Sequence, residues 1–280
     1  MRPAILLFLY VAGVICFMVA PHVLSLDPFA QNTYARLRPP GRDGILGTDG
    51  FGRDQLSRIL VGVRNTLATG LIAVALSAII GIAIGSVSVQ AGGYTDLILQ
   101  RIVDFLLGIP FLVICIVLII SMRAAIGTIG FALGIAFVPE MARFSRGAML
   151  PILRQPFIEA SMLCGASRRT VLFRHLLPNS APPIVAQAST IFGAAIMAES
   201  ALSFLGLGVP PPHPSLGGML REGAGLYLET APWLTTFPGI AIAAIVFSLT
   251  ITADTIVSHY ELRARAISPS KLHGNRKPHR

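Results

Sequence analysis

Long apolar runs alternate with shorter polar stretches along this chain. Runs at residues 4–24, 67–90, 104–121, 124–142, 184–206 and 236–256 are each near the length an α-helix needs to cross bilayer hydrocarbon, about 20 residues at a rise of about 1.5 Å. The pattern predicts an all-α membrane protein with six transmembrane helices. The first run follows a lone Arg2, as in signal peptides and membrane anchors. Its length, and Pro21-His22 where a small-x-small cleavage site would stand, favour a transmembrane anchor over 1–24.

The polar stretches carry the organisation. Residues 25–65 hold the turn formers Asp27-Pro28, Pro39-Pro40-Gly41 and Asp43-Gly44. Within them Asp54 suits a helix start, and Leu56, Ile59, Leu60 and Val63 recur at helical spacing with Arg53, Arg58 and Arg64 off that stripe. An external loop with an amphipathic helix on the membrane surface, its arginines snorkelling, is expected before the second span. Residues 66–256 form the transmembrane core, interrupted by a polar loop over 143–183, and 257–280 a basic tail whose last dozen residues read as a disordered, lipid-attracted end.

Inside the 143–183 loop, Pro156 fits a first helical turn, Glu159 sits near the positive end of the dipole, and Gly165 is a natural stop. Phe157, Ala160, Ser161 and Cys164 fall on one side of the short helix this implies, flanked by Arg154, Arg168, Arg169 and Arg174 and closing at Leu177-Pro178. From the residues alone it is either a docking element or an interfacial helix without a partner.

Composition agrees with a membrane protein: of 280 residues 54% are hydrophobic and 12% charged, with a mean hydropathy of +0.72. The net charge of +9 comes from arginines scattered among membrane-flanking loops, which suits lipid headgroups and topology signalling and not nucleic acid. Six spans put both termini on one side. Lysine and arginine are more numerous there, chiefly between Arg143 and Arg174 and in the tail, than on the side holding Arg36 to Arg64, Arg123 and Arg221. The bias places both termini and the Glu159 loop in the cytoplasm. Cys16, Cys115 and Cys164 have no paired or metal-ligand spacing. The two lysines, Lys271 and Lys277, lack a phosphate-cradling glycine frame, and there is no HExxH, so neither an ATPase nor a hydrolase centre is expected.

Several groups within or beside the spans stand out. Glu199, in the fifth run, is costly enough to need a partner or water, as a lining group of a translocation path or as a helix-to-helix hydrogen bond. Gly81-x-x-x-Gly85 and Gly130-x-x-x-Gly134 permit close helix packing. Pro210-Pro211-Pro212 ends the fifth helix, and 216–228 is expected as a re-entrant or surface element on the external face. Trp233 suits an interfacial anchor. Asp104 beside Arg101, and Asp254, are expected to be wet or paired.

Three segments resemble one family, in its order. Glu159-Ala160-Ser161, Gly165 and Leu177-Pro178 resemble the EAA loop of the inner-membrane permease subunits of binding-protein-dependent ABC importers. Two positions depart from that pattern: Ser161 stands where a second alanine is usual and His175 where isoleucine is. Leu46-Gly47-Thr48-Asp49, Gly52-Arg53-Asp54, Ser57-Arg58 and Gly62 are similar to a signature of the peptide, nickel and opine subgroup, as is 198–220 with Phe204-Leu205-Gly206-Leu207-Gly208. The likeness, most marked to dipeptide C-type permeases, covers about 46–254, and the tail beyond Asp254 departs from it.

The resemblance implies a type I ABC importer permease architecture. It gives Glu159, Ala160, Ser161, Gly165, Arg168, Arg169, Leu177 and Pro178 to coupling with an ATPase. Implied partners are a second, homologous permease chain, two cytoplasmic ATPase subunits or domains that bind the ATP, an external solute-binding protein and membrane lipids. No cofactor is implied for this chain, which would be a non-catalytic subunit in a bacterial or archaeal inner membrane. Short peptides are the expected solute, ahead of nickel chelates, opines or glutathione. A secondary transporter working alone, with Glu199 as an ion site, is the alternative from another class, and a membrane scaffold without transport a third.

Overall fold

The computed structural model describes residues 27–41, 44–122 and 125–267, with the side chains of the last helix described as far as Thr252. The expected first span, Arg123, the Asp254 side chain and the tail beyond Ile267 lie outside the described residues. What is described is helical, joined by turns and two isolated β-bridges in the first loop. After a short 3-10 turn at Thr33–Ala35 come α1 (Gln55–Ala91), α2 (Gly93–Leu107), α3 (Phe111–Met122), α4 (Ile126–Leu153), α5 (Pro156–Leu163) and α6 (Arg168–Val171). A π-helical turn, Leu172–Leu176, then leads into α7 (Leu177–Phe204), followed by α8 (Leu216–Leu226) and α9 (Trp233–Ile267).

Among the described residues four stretches are long and apolar enough to cross a membrane: Gln55–Ala91, Ile126–Leu153, Arg168–Phe204 and Trp233–Thr252. The third expected span, 104–121, is not one rod. It is split between α2 and α3, which meet at 84° and count together as at most a fifth crossing. The reason is local: α2 is capped at Gly108, and Pro110, which has no N–H to donate, precedes α3.

Helix α1 also differs from expectation. Its 37 residues make a rod of about 55 Å, well beyond the roughly 30 Å of hydrocarbon. Residues 55–64, expected along the membrane surface, are its first turns and pass into the span without a break. Asp54 caps it as the sequence suggests, accepting from Ser57 N at 2.8 Å and Ser57 Oγ at 2.6 Å. At the other end of the chain, α9 continues past residue 256 into the stretch expected as tail.

Small residues set the central packing. A Cβ added at Gly81 would lie 2.7 Å from Met141 Cβ, and one at Gly130 would lie 2.8 Å from Ile72 Cβ. Each GxxxG pair thus packs against larger residues of the other helix, Gly81 and Gly85 of α1 against Met141 and Ser145, and Gly130 and Gly134 of α4 against Ile72 and Leu76. Matching positions advance together (Ile72 with Gly130, Leu76 with Gly134, Gly81 with Met141), so α1 and α4 run parallel, with α2 and α3 returning the chain between them. Ala73, Ile129, Leu133, Met141, Ile191 and Leu202 form the core where α7 joins this pair.

The connections gather at two opposite ends. The first loop, the start of α1, the end of α7, α8 and the start of α9 meet at one end, where Asn65 Nδ2 donates to Pro214 O at 2.9 Å. The end of α1, the start of α2, the end of α4, α5 and α6 meet at the other, where Arg146 pairs with Asp96 at 2.6 Å. Asp104 also pairs across elements, with Arg143 of α4 and not with neighbouring Arg101.

Candidate functional site

The polar loop folds as the sequence pattern suggests. Pro156 is the first residue of α5, Glu159 lies in its first turn, Cys164 caps it and Gly165 takes φ of +84°, a left-handed conformation that favours glycine. Ser167 Oγ then caps α6 by accepting from Thr170 N at 3.2 Å. Pro178 leaves a carbonyl of the preceding turn without its helical donor, and the chain there widens into the π turn. The Asn179 side chain donates to His175 O at 2.6 Å within that turn.

One side chain of α5 is fully buried and most of the others are exposed. Ile158 is fully buried in the cluster that contains Met149, Val171 and Leu176. Phe157, Ala160 and Cys164, the apolar side read from the sequence, face outward, as do Met162 and Leu163, the latter 90% exposed. Glu159, Arg168, Arg169, Arg174 and Pro178 are exposed around them, and Phe173 of the π turn is 67% exposed. Leu177 is half-buried, and Arg168 reaches back to donate to Gln90 O at the end of α1 at 3.2 Å. The structure therefore brings the expected coupling residues into one protruding knob of apolar side chains rimmed by arginines. Ser161 is half-buried against His175, whose Nε2 lies 3.4 Å from Ser161 Oγ and whose ring lies 5.9 Å from that of Phe157.

Glu199 lies far from this knob. It is 1% exposed and accepts hydrogen bonds from Thr66 Oγ1 of α1 at 3.0 Å and Ser203 Oγ at 2.7 Å, with Ser200 Oγ at 3.5 Å. The accessible stripe of α7 is a different face, carrying Ala194, Met197, Ala201 and Phe204.

At the opposite end the structure shows a site that the residue pattern did not disclose. Asp49 accepts from Phe51 N and Arg53 N at 2.8 and 2.9 Å, from Arg53 Nε at 2.6 Å, and pairs with Arg58 Nε at 3.3 Å. Arg53 and Arg58, expected to snorkel, are buried, and both pair with Asp49. Glu222 of α8 stands 3.9 Å from Arg53. Burial pushes its carboxyl above the ordinary glutamate range and Asp49 pushes it further, while Arg58 and Arg53 pull it back. Trp233, expected as a membrane anchor, donates from Nε1 to Thr48 O at 3.3 Å and so staples the start of α9 to this loop. The i,i+4 spacing of Asp49 and Arg53 was the available sequence signal. No group of His, Cys, Asp and Glu suited to a metal ion occurs among the described residues.

Among the described residues the fold is that of a helical membrane protein with a short, exposed helix between two of its long helices. Over residues 58–266 the chain matches the binding-protein-dependent transport system inner membrane component, and it belongs to that family. It is 35% identical over 250 residues to a putative peptide transport system permease protein of Brucella suis, covering 89% of this chain and 83% of that one. It is 34% identical over 255 residues to the dipeptide transport system permease protein DppC of Haemophilus influenzae, covering 89% and 86%. An inward-facing structure of the MetNI methionine ABC transporter shares the fold, with a TM-score of 0.62 at 19% identity over 72% of this chain and 95% of that one. An amino acid ABC transporter crystallised with histidines gives a TM-score of 0.55 at 18% identity, covering 74% and 94%. The chain is a multi-pass inner-membrane permease component of an ABC importer, which leaves the solitary secondary transporter without support.

Proposed function

We propose that this chain is one of two homologous, non-catalytic subunits that form the pore of an importer for short peptides. It contributes six spans, namely the four unbroken candidates, the bent α2–α3 pair taken as a fifth and the apolar run 4–24, and it works with two ATPase subunits and an external binding protein. The peptide transport permeases to which it is 34–35% identical support the solute class. The charge bias supports cytoplasmic termini, with the α5 knob on the inner face.

The observation that carries the coupling role is the knob itself. Leu163 and Glu159 are exposed on a helix held from below by the fully buried Ile158, and Phe173 of the π turn and a set of arginines are exposed as well. Such a surface fits an apolar cleft with an acidic margin on a soluble partner. ATP-driven closure of that partner displaces α5, and α7 and α4 carry the displacement into the membrane, shifting a two-state equilibrium between inward and outward access. The test replaces the charge pattern: E159K/R168A/R169A in the assembled transporter is expected to abolish uptake in proteoliposomes while the chain still inserts. Uptake at the wild-type rate overturns the docking role.

A further inference from the structure

We propose that His175 is the positioning residue that fixes α5 to the root of α7, so that movement of the knob is passed to the transmembrane helix through the Ser161–His175 contact. The proposal rests on the docking role of α5 and adds how its movement leaves it. An eight-residue helix has little stability of its own, so what it touches decides how rigidly it transmits force. Its one fully buried side chain, Ile158, is an apolar anchor that resists removal but sets no direction about the helix axis.

The directional contacts converge on a single ring. His175 Nε2 stands 3.4 Å from Ser161 Oγ, and the imidazole lies 5.9 Å from the Phe157 ring at a tilt of 59°. Ser161 and Phe157 are one turn apart, so together they fix the rotation of α5 against one point. That point is well placed. His175 lies in the π turn that leads directly into α7, and the Asn179 side chain from the first turn of α7 holds its carbonyl at 2.6 Å. The π turn sits where a strained or adjustable turn suits a moving joint. Ser161 and His175 are also the two positions at which the chain departs from the loop pattern it otherwise follows, and the structure puts them in contact.

The experiment uses the complete transporter in proteoliposomes and measures the stimulation of ATP hydrolysis by the cognate binding protein, isolated with its native solute bound. H175A is expected to reduce the stimulation at least fivefold, and S161A to act in the same direction. The double variant should be no worse than H175A alone, since the two side chains act through each other. H175Q, which keeps a hydrogen-bonding group within reach of Ser161, should recover more than half. Wild-type stimulation in H175A, or in S161A should H175A fail to assemble, overturns the proposal. Strictly additive losses overturn it as well. If these variants are normal while E159K/R168A/R169A is not, the His175 link falls and the docking role stands. If the triple variant is also normal, the docking role itself falls.

Discussion

At the scale of single residues, a buried carboxylate, Glu199, and a half-buried one, Glu222, do different work because their surroundings differ. Glu199 is surrounded by hydroxyls from two helices, each of which donates to it. Hydrogen bonds of this kind within membranes contribute about 1 kcal/mol each. E199A is therefore expected to lower the Tm of the detergent-purified complex by about 2–4 °C for each bond lost, whereas E199Q, which keeps an acceptor, should hold both Tm and uptake. Loss of uptake in E199Q at unchanged Tm would move this residue to the translocation path. Glu222 meets burial and the neighbouring charge of Asp49, so its folded pKa lies above its unfolded one. The sign follows from linkage: the folded state holds the proton more tightly, so this group favours folding below the raised pKa and costs stability as pH rises through it. The Tm should fall as pH rises from about 4.5, the ordinary glutamate value, and E222Q should flatten that part of the profile. A profile unchanged in E222Q would mean that Glu222 is well solvated in the protein.

At the scale of elements, periodicity made some features legible and left others hidden. The α5 boundaries followed from Pro156 and Gly165 because the first-turn and left-handed positions have few alternative occupants. The two GxxxG spacings signalled close helix packing because close approach demands the missing Cβ, but that α1 and α4 are the helices so packed against each other came only from the structure. The 84° break between α2 and α3 was hidden within an apolar run, although Gly108 and Pro110 marked it. The surface helix expected before the second span rested on treating Arg53 and Arg58 as solvent-seeking, and only tertiary structure shows Asp49 beneath both. His175 was noticed as a departure, but its partner Ser161 lies fourteen residues back, across the helix break at Gly165, so helical periodicity could not pair them. The α5 knob makes a prediction of its own: with Leu163 90% exposed, L163D removes apolar area without touching the fold. Recovery of the ATPase subunits with the tagged permease should drop about tenfold, the equivalent of about 1.4 kcal/mol. Full recovery would show that the partner does not cover this residue.

At the scale of the whole molecule, the two polar ends must lie on opposite sides of the membrane, because α1, α4, α7 and α9 all run between them. The first loop, α8 and the Asp49 network share one end, and α5 and α6 share the other. Charge bias alone orients the pair weakly, since the first loop is itself rich in arginine. The native cysteines offer a direct measurement. Cys164 is exposed at the cap of α5, and Cys115 is buried in α3. In a C16S permease expressed without the ATPase subunits, a membrane-impermeant maleimide should label Cys164 in inverted vesicles and leave it unlabelled in right-side-out ones, while Cys115 stays unlabelled in both until the protein is denatured. Y34C, at a position 91% exposed in the first loop, should show the opposite sidedness. The two labels are coupled by the fold, so both must reverse together or neither can. Joint reversal would put the knob outside the cell and end the ATPase-docking role, whereas labelling of both from one side would contradict the arrangement of helices itself.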